Sequence, residues 1–435
     1  MLHSSSCSIL IEVAMQDWKR KFFLIWGSQA LSLVGSGLVQ FALVWWLTET
    51  TGSAAILAGA TLAAILPEIV LGPFAGALVD RLSRRMVMIA ADTAVAVATA
   101  VLALLFATGL IQPWHIFVAI FVRSLCGIFQ FPAMQASTSL MVPKEHLARI
   151  AGLNQMLRGL LSIATPPLGA LLMTLLPMFG VISVDILTAL CAVVPLLFVH
   201  IPQPQRADDG APISPRSLLR DVREGLEYVR ARPGLVIILG MAMVINFLFS
   251  PASMLTPLLV KSHFMGGAWE LSLMESAMGV GIIVGSLVLS AWGGFKKQAV
   301  TSMTGLVGMG AGALIIGFTP GTAFAAAVVG MCLTGIMNPI VNGPFMALLQ
   351  TTVDPSYQGR VMALVGSGCM SMMPLGTLLA APVADLLGIP AWFLMAGAVC
   401  VLMGVLGLFV PAVVNLEEDM RAVQQTAGPA LAEAQ

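Results

Sequence analysis

The chain alternates long apolar runs with short polar segments. A helix needs about 20 apolar residues to cross a bilayer, because each residue rises about 1.5 Å. Many runs contain Gly or Pro, which membrane helices tolerate. The pattern predicts an all-α membrane protein with twelve transmembrane helices, approximately at 22–47, 54–79, 86–108, 113–138, 150–176, 180–200, 234–259, 271–292, 300–319, 322–349, 361–386 and 390–413.

Composition agrees with a lipid environment. Hydrophobic residues make up 58% of the 435 residues and charged residues only 10%, whereas a soluble domain carries about 25% charged residues. The formal net charge is +0, which gives no basis for a nucleic-acid partner. The 6 cysteines and 5 histidines are scattered without metal-ligand spacing, so neither a metal site nor a cofactor is expected.

Basic residues indicate the orientation. Of the 21 Lys and Arg residues, only Lys261 falls in a predicted outer loop, and Arg123 and Arg158 fall within predicted spans. Cytoplasmic loops are enriched in Lys and Arg. The distribution therefore predicts that both termini are cytoplasmic, in an N-terminal segment at 1–21 and a tail at 414–435.

Residues Met1 to Asp17 show no signal-peptide pattern, since they lack a basic region and a small-residue cleavage site before the first long apolar run. Met15 directly precedes the polar stretch from Gln16 to Lys21 and is as good a start as Met1. We therefore expect residues 1–14 to be dispensable.

A polar segment divides the chain into two halves. It covers 201–233 and separates a predicted six-helix bundle at 22–200 from a second at 234–413. Within it, four apolar residues recur at helical spacing and predict an amphipathic helix at the inner membrane surface, namely Leu219, Val222, Leu226 and Val229. The simpler interpretation is a tether between the halves.

The two halves resemble each other. Leu125-Cys126-Gly127-Ile128 matches Leu333-Thr334-Gly335-Ile336, and Pro167-Leu168-Gly169 matches Pro374-Leu375-Gly376. The basic pair at 84–85 matches the pair at 296–297, and the three matches lie 207 to 212 residues apart. The repeat predicts two pseudo-symmetric six-helix bundles. Such repeats are typical of secondary transporters, which bind their substrate near the membrane midplane.

The predicted inner loop between spans two and three is a candidate conformational gate. Asp80 is an anion that can sit at the positive N-terminus of an opposing helix, where a charge contributes about 0.3–1 kcal/mol. Gly76 permits close approach of a neighbouring helix, and Arg81, Arg84 and Arg85 hold the loop inside. The alternative is an ordinary positively charged inner loop.

Arg123 is the most unusual charge, because it lies near the middle of span four. An Arg there costs about 2.5–3.5 kcal/mol on insertion scales, so an acidic partner is expected. Burial and a nearby Arg move a carboxyl pKa in opposite directions, so an acid with a mobile partner can bind and release protons. A static ion pair that only joins helices is the alternative.

Glu68 is our predicted partner for Arg123 and candidate proton-coupling acid, since it lies about 18 Å along the helix from Asp80 and thus at similar depth. Asp92 is expected to pair with Arg158. Two other intramembrane acids are expected nearer the outer surface, Asp185 and Glu275.

Polar and bend-forming residues within spans are candidates for the transport path. Pro166 and Gly169 predict a bend in span five, although such residues also serve plain helix packing. The stretch from Asn338 to Pro344 contains two prolines and a glycine, which predict a broken helix in span ten. The predicted cavity-lining residues are Gln29, Gln40, Phe129, Gln130, Asn246, Asn338 and Asn342.

Three motifs resemble those of the major facilitator superfamily. The loop from Gly76 to Arg85 resembles its inner-loop signature, with Ser83 in place of a Gly. Arg123-x-x-x-Gly127 is similar to its fourth-helix motif, whose arginine is associated with proton coupling. The stretch at 165–170 partially matches its fifth-helix antiporter motif. The resemblance implies the major facilitator fold.

Further strings resemble the macrolide-efflux subgroup of drug:proton antiporters, including Val34-Gly35-Ser36-Gly37, Gly72-Pro73-Phe74-Ala75-Gly76 and Gly359-Arg360-Val361-Met362. The resemblance implies a monomeric exporter of amphipathic small molecules in the bacterial inner membrane, driven by protons. Siderophore exporters share much of this pattern.

Three alternatives remain: export of a siderophore or native metabolite, uptake, and a non-transporting membrane scaffold. An enzyme is not expected, because no nucleophile–base set or metal cluster is visible at midplane depth. An ATPase is not expected either, because the chain contains no P-loop string.

Overall fold

A computed structural model describes residues 2–198 and 215–416. A short 3₁₀ helix, Lys144–His146, lies between the fourth and fifth α-helices. The α-helices are, in chain order, α1 (Leu2–Thr51), α2 (Ala54–Arg81), α3 (Arg84–Thr108), α4 (Pro113–Met141), α5 (Leu147–Leu175), α6 (Met178–Phe198), α7 (Pro215–Arg230), α8 (Pro233–Ser262), α9 (Ala268–Trp292), α10 (Gln298–Phe318), α11 (Phe324–Thr352), α12 (Pro355–Leu387), α13 (Ile389–Phe409) and α14 (Pro411–Val414).

The prediction of twelve spans is confirmed. Within the described residues, 12 helices are long and apolar enough to cross a membrane. They belong to two compact units, one with α1 to α6 and one with α7 to α14, the short segment Gly52–Ala58 being grouped with the second. Most of the tail predicted at 414–435, and much of the segment predicted at 201–233, lie outside the described residues.

Local signals explain where α3 begins and ends. Ser83 is the N-cap, and its hydroxyl accepts a hydrogen bond from the Met86 amide at 3.4 Å. Gly109 ends the helix at φ 72°, a left-handed conformation that glycine adopts without strain. Ser83 therefore stands at a position where a hydroxyl stabilises the helix start better than a glycine.

The predicted break in span ten is wrong. Helix α11 continues through both Pro339 and Pro344. The Ser302 hydroxyl on α10 donates to the carbonyl of Val341 at 3.0 Å. Side chains of neighbouring helices commonly satisfy backbone groups near prolines in membrane helices, so the helix does not need to open.

Glycines bring α9 and α11 of the second unit into backbone contact. A Cβ on Gly335 would collide with the Met278 carbonyl oxygen and would lie 3.1 Å from the Gly281 Cα. A Cβ on Gly281 would collide with the Cys332 carbonyl oxygen. Gly127, the repeat counterpart of Gly335, has nothing within 4 Å of that position. The two repeats therefore pack their corresponding helices differently.

The predicted amphipathic helix exists as α7 and packs on α12. The Arg360 guanidinium lies 2.9 Å from the Glu224 carboxylate, and the Tyr228 and Tyr357 rings stack with centroids 4.7 Å apart. Tyr228 and Val229 are buried in the core of the second unit. Apolar packing and the Arg360–Glu224 ion pair therefore hold this helix against the second unit.

Candidate functional site

A buried charge network occupies the first unit. Arg123 on α4 forms an ion pair with Asp185 on α6, with 2.5 Å between Nη1 and Oδ2. The side chains are 11% and 1% exposed. Thr99 on α3 donates to Asp185 Oδ2 at 3.1 Å, and Ser36 on α1 donates to Oδ1 at 3.0 Å. Both carboxylate oxygens thus have partners, as a buried ion requires.

Two glycines place Ser36 against the carboxylate. A Cβ on Gly35 would collide with the Thr188 hydroxyl of α6, and a Cβ on Gly37 would lie 2.8 Å from Thr165 Cγ2 of α5. The small residues let α1 approach both helices closely. The string at 34–37 is therefore a packing motif that positions one hydroxyl of the network.

A second polar cluster lies beside the first and contains an acid. Asp92 on α3 accepts hydrogen bonds from Gln29 on α1 at 2.9 Å and from Gln130 on α4 at 2.6 Å. Gln130 also donates to Gln29 at 3.0 Å. Asp92 is 3% exposed, and every partner that these bonds give it is an uncharged amide.

The two clusters form layers of one polar seam. Each of three helices contributes one residue to each layer, spaced seven residues apart: Gln29 and Ser36 on α1, Asp92 and Thr99 on α3, and Gln130 and Arg123 on α4. Residues at this spacing share a helix face. At about 1.5 Å per residue, the layers lie about 10 Å apart along the helices.

The predicted pairing of Glu68 with Arg123 is wrong, because Arg123 pairs with Asp185. Glu68 is exposed and lines an open cavity of about 500 Å³ together with Ser124, Gly127 and Arg158. The predicted pairing of Asp92 with Arg158 is wrong as well. Asp92 binds two glutamines, and the Arg158 guanidinium lies 4.7 Å from the centre of the Phe131 ring.

The prediction of Glu68 as the partner of Arg123 rested on depth along the helix, which is not a sufficient criterion. Arg123 is ten residues from the start of α4 and Asp185 is seven from the start of α6, so their backbones differ by about 4–5 Å in depth. The long Arg side chain bridges such a difference. Depth also does not specify which face of a helix a residue lies on. Glu68 of α2 shares a cavity with Ser124 and Gly127 of α4, whereas Arg123 of α4 pairs with Asp185 of α6.

The two described arginines of the gate motif bind backbone carbonyls within the first unit. Arg84 Nη1 donates to the Ala136 carbonyl of α4 at 2.8 Å. Arg85 donates to the Leu196 and Leu197 carbonyls of α6, at 2.6 and 2.5 Å. The surroundings of the other three members lie outside the described part of the structure, namely Gly76, Asp80 and Arg81.

Arg85 stabilises the end of α6, because the last carbonyls of a helix lack internal partners and carry a partial negative charge. We expect Arg85→Ala to lower stability by about 1–2 kcal/mol, through the loss of two bonds to a charged donor. Thermal melting of purified protein measures this effect. Arg85→Lys is the matched control and should recover part of the loss; equal melting of the alanine variant and the unchanged protein would contradict the assignment.

The second unit contains an apolar cavity of about 230 Å³ between α8, α10, α11 and α12. Asn246 and Asn342, both predicted to line a cavity, are among its lining residues. The backbone carbonyl of Asn338, the third predicted lining residue of this unit, accepts a hydrogen bond from the Asn342 side chain at 3.0 Å. Four methionines also line this cavity, namely Met241, Met303, Met346 and Met362.

The predicted lining residues of the first unit have other surroundings. Gln29 and Gln130 are engaged with Asp92, Phe129 packs against an apolar cluster around Met88, and Gln40 is exposed.

The predicted bend residues lie in an uninterrupted α5, which runs through Pro166 and Pro167. A Cβ on Gly169 would lie 2.8 Å from the Phe41 ring of α1. This close approach supports the helix-packing interpretation of Gly169.

Two units of apolar helices, one of them with a buried charge network, define a multi-pass membrane transporter. The sequence profile of the Major Facilitator Superfamily matches residues 25–377. The chain belongs to this superfamily and falls in its macrolide-efflux subgroup.

Relatives and solved structures agree with this assignment. Macrolide efflux protein A of Streptococcus pyogenes is 34% identical over 385 residues, covering 88% of this chain and 94% of the relative. Its Enterococcus faecalis namesake is 32% identical, covering 75% and 99%. The Multidrug efflux pump Tap of Mycolicibacterium fortuitum is 27% identical, covering 88% and 94%.

Among solved structures, the nucleoside transporter NupG matches with a TM-score of 0.64 and 13% identity, covering 89% of this chain and 98% of its own. A POT family transporter matches with a TM-score of 0.67 and 11% identity, covering 90% and 96%. At these identities the matches show the fold alone.

Proposed function

We propose that this protein exports amphipathic drugs of the macrolide class across the bacterial inner membrane, in exchange for protons and by alternating access. The observation that carries the proposal is the buried Arg123–Asp185 pair in the first unit. Relatives named for macrolide and multidrug efflux support the substrate class. We further propose a monomer with both termini in the cytoplasm.

Asp185 is the coupling acid in this proposal, in place of Glu68. When Arg123 holds the carboxylate, the proton is released; when the pair separates, the isolated acid binds a proton because a lone charge in an apolar interior is costly. Asp92 in the neighbouring layer provides a second acid on the same seam. The seam, together with Asp185 on α6, thereby joins two proton-binding groups across four helices.

The methionine-lined cavity of the second unit supports amphipathic substrates. Met side chains are flexible and polarisable, so they adapt to ligands of different shapes. Asn246 and Asn342 add two amides to an otherwise apolar lining. We propose that this surface receives the apolar part of the substrate, while Asp80 acts as the conformational latch.

Expression in a pump-deficient bacterial host should raise the minimum inhibitory concentration of erythromycin. Asp185→Asn should return resistance to the empty-vector level, and Asp80→Asn should lower it. Glu68→Gln is the matched acid control, which should keep most of the resistance because Glu68 lies outside the network.

A panel of macrolides, dyes and siderophores, with and without a protonophore, completes the test. Resistance that survives collapse of the pH gradient would contradict proton coupling. A phenotype confined to siderophore secretion would contradict the drug substrate class.

A further inference from the structure

A second cavity in the second unit contains a carboxylate, and its described lining includes no Lys or Arg. The cavity measures about 190 Å³ and is lined by α8, α9, α10, α11 and α13. Glu275 on α9 is its one acidic lining residue, among Phe249, Phe393, Met278 and Met331. Across residues 2–198 and 215–416, no hydrogen bond or ion pair to the Glu275 side chain is formed.

The repeat shows what is missing from this cavity. At the offset of 208 residues, Arg123 corresponds to Met331 and Asp185 corresponds to Phe393, and both counterparts line the cavity. The first unit supplies its own guanidinium to its buried acid. The second unit has its acid at Glu275 on α9, not at the counterpart of Asp185, and it places a thioether where the first unit has its Arg.

We propose that Glu275 is the recognition site for the cationic group of the substrate, which supplies the positive charge that the described lining of this cavity lacks. A carboxylate in an apolar surrounding gains from pairing with a cation, because an isolated charge there is costly. The aromatic side chains of Phe249 and Phe393 add faces that attract substituted ammonium groups. Thioethers suit the alkyl substituents of such a group.

The size of the cavity restricts what enters. Sites for complete drug-sized ligands measure about 300–1,000 Å³, whereas this cavity has about 190 Å³. It therefore accepts a compact alkylammonium group and leaves the rest of the ligand outside. The substrate class becomes amphipathic molecules that carry one such group. The inference rests on the proposed export function, whose substrate it specifies.

Two dyes that differ in one charged group test the inference. Purified protein in detergent is titrated with the cation trimethylammonium-diphenylhexatriene and with neutral diphenylhexatriene, and energy transfer from Trp to the dye reports binding. Glu275→Gln should weaken binding of the cationic dye at least about 30-fold, as expected for loss of one partner of a desolvated charge pair. Binding of the neutral dye should not change.

Control variants separate recognition from folding. Glu270→Gln changes another acid of α9, whose carboxylate caps the helix by accepting from the Gly267 amide at 2.7 Å; it should leave the binding of both dyes unchanged. Glu275→Asp keeps the charge and should keep the preference for the cation. Thermal melting verifies that each variant is folded.

Unchanged cation binding in Glu275→Gln would overturn the inference. Equal weakening of both dyes, or no preference for the cation in the unchanged protein, would overturn it as well. Because binding is measured without transport, absence of drug resistance in the host experiment would contradict the proposed function and leave this test intact.

Discussion

Asp185→Asn is expected to abolish drug efflux and to destabilise the first unit by about 3–5 kcal/mol, the usual cost of leaving one partner of a buried ion pair alone. Asp185 is 1% exposed and holds the Arg123 guanidinium at 2.5 Å. The variant leaves that guanidinium inside the unit with no carboxylate to neutralise it. Thermal melting of purified protein and drug resistance of the host measure the two effects.

The double variant Arg123→Gln with Asp185→Asn separates stability from coupling. It removes both charges and keeps groups that form hydrogen bonds, so most of the lost stability should return. Drug efflux should stay absent, because no group that titrates is left in this layer. A double variant as unstable as the single one would contradict the ion-pair explanation, and one that exports normally would contradict the coupling role.

Gly335→Ala is expected to lower stability by about 1–3 kcal/mol or more, the cost of overpacking a tight interior. The new Cβ would collide with the Met278 carbonyl oxygen. A backbone atom cannot rotate aside as a side chain does, so α9 and α11 have to separate. The melting temperature and the yield of folded protein in membranes measure the loss.

Gly127→Ala is the matched control for this prediction, because it makes the same change at the repeat-related position. Nothing lies within 4 Å of its Cβ position, and Ala is favoured over Gly in a helix by up to about 1 kcal/mol. Gly127→Ala should therefore melt at the same or a slightly higher temperature. Equal destabilisation of the two variants would contradict the difference in packing between the repeats.

The number of spans and the six-plus-six division could be predicted from the sequence, since both depend on hydropathy and on internal similarity. The need of Arg123 for an acid could also be predicted, because it follows from the cost of a charge in lipid. The identity of that acid could not. The depth argument favoured Glu68, whereas the pairing with Asp185 depends on α4 and α6 both packing against α1 and α3.

The packing role of Gly35 and Gly37 could not be predicted either, because it also depends on which helices are neighbours. Ser36 looks like an ordinary polar residue between two glycines until α1 is packed against α5 and α6. The spacing of seven residues that joins Gln29 to Ser36 and Asp92 to Thr99 is visible in the sequence. It becomes informative once these helices are known to be neighbours.

The repeat places unequal chemistry in its two halves. An internal Arg–Asp pair occupies the first, and a lone Glu275 beside Met331 occupies the second. In our proposals the first half handles the proton and the second half receives the cationic substrate. In this division, proton binding and binding of the substrate cation are carried by different units.

Transport by purified protein in liposomes tests the central claim most directly. A pH gradient, acidic inside, should drive erythromycin into the vesicles, while preloaded erythromycin should exchange without a gradient. The double variant Arg123→Gln with Asp185→Asn should lose gradient-driven accumulation and keep exchange, because exchange needs no net proton movement. Accumulation by this variant at the rate of the unchanged protein would contradict proton coupling through the Arg123–Asp185 pair.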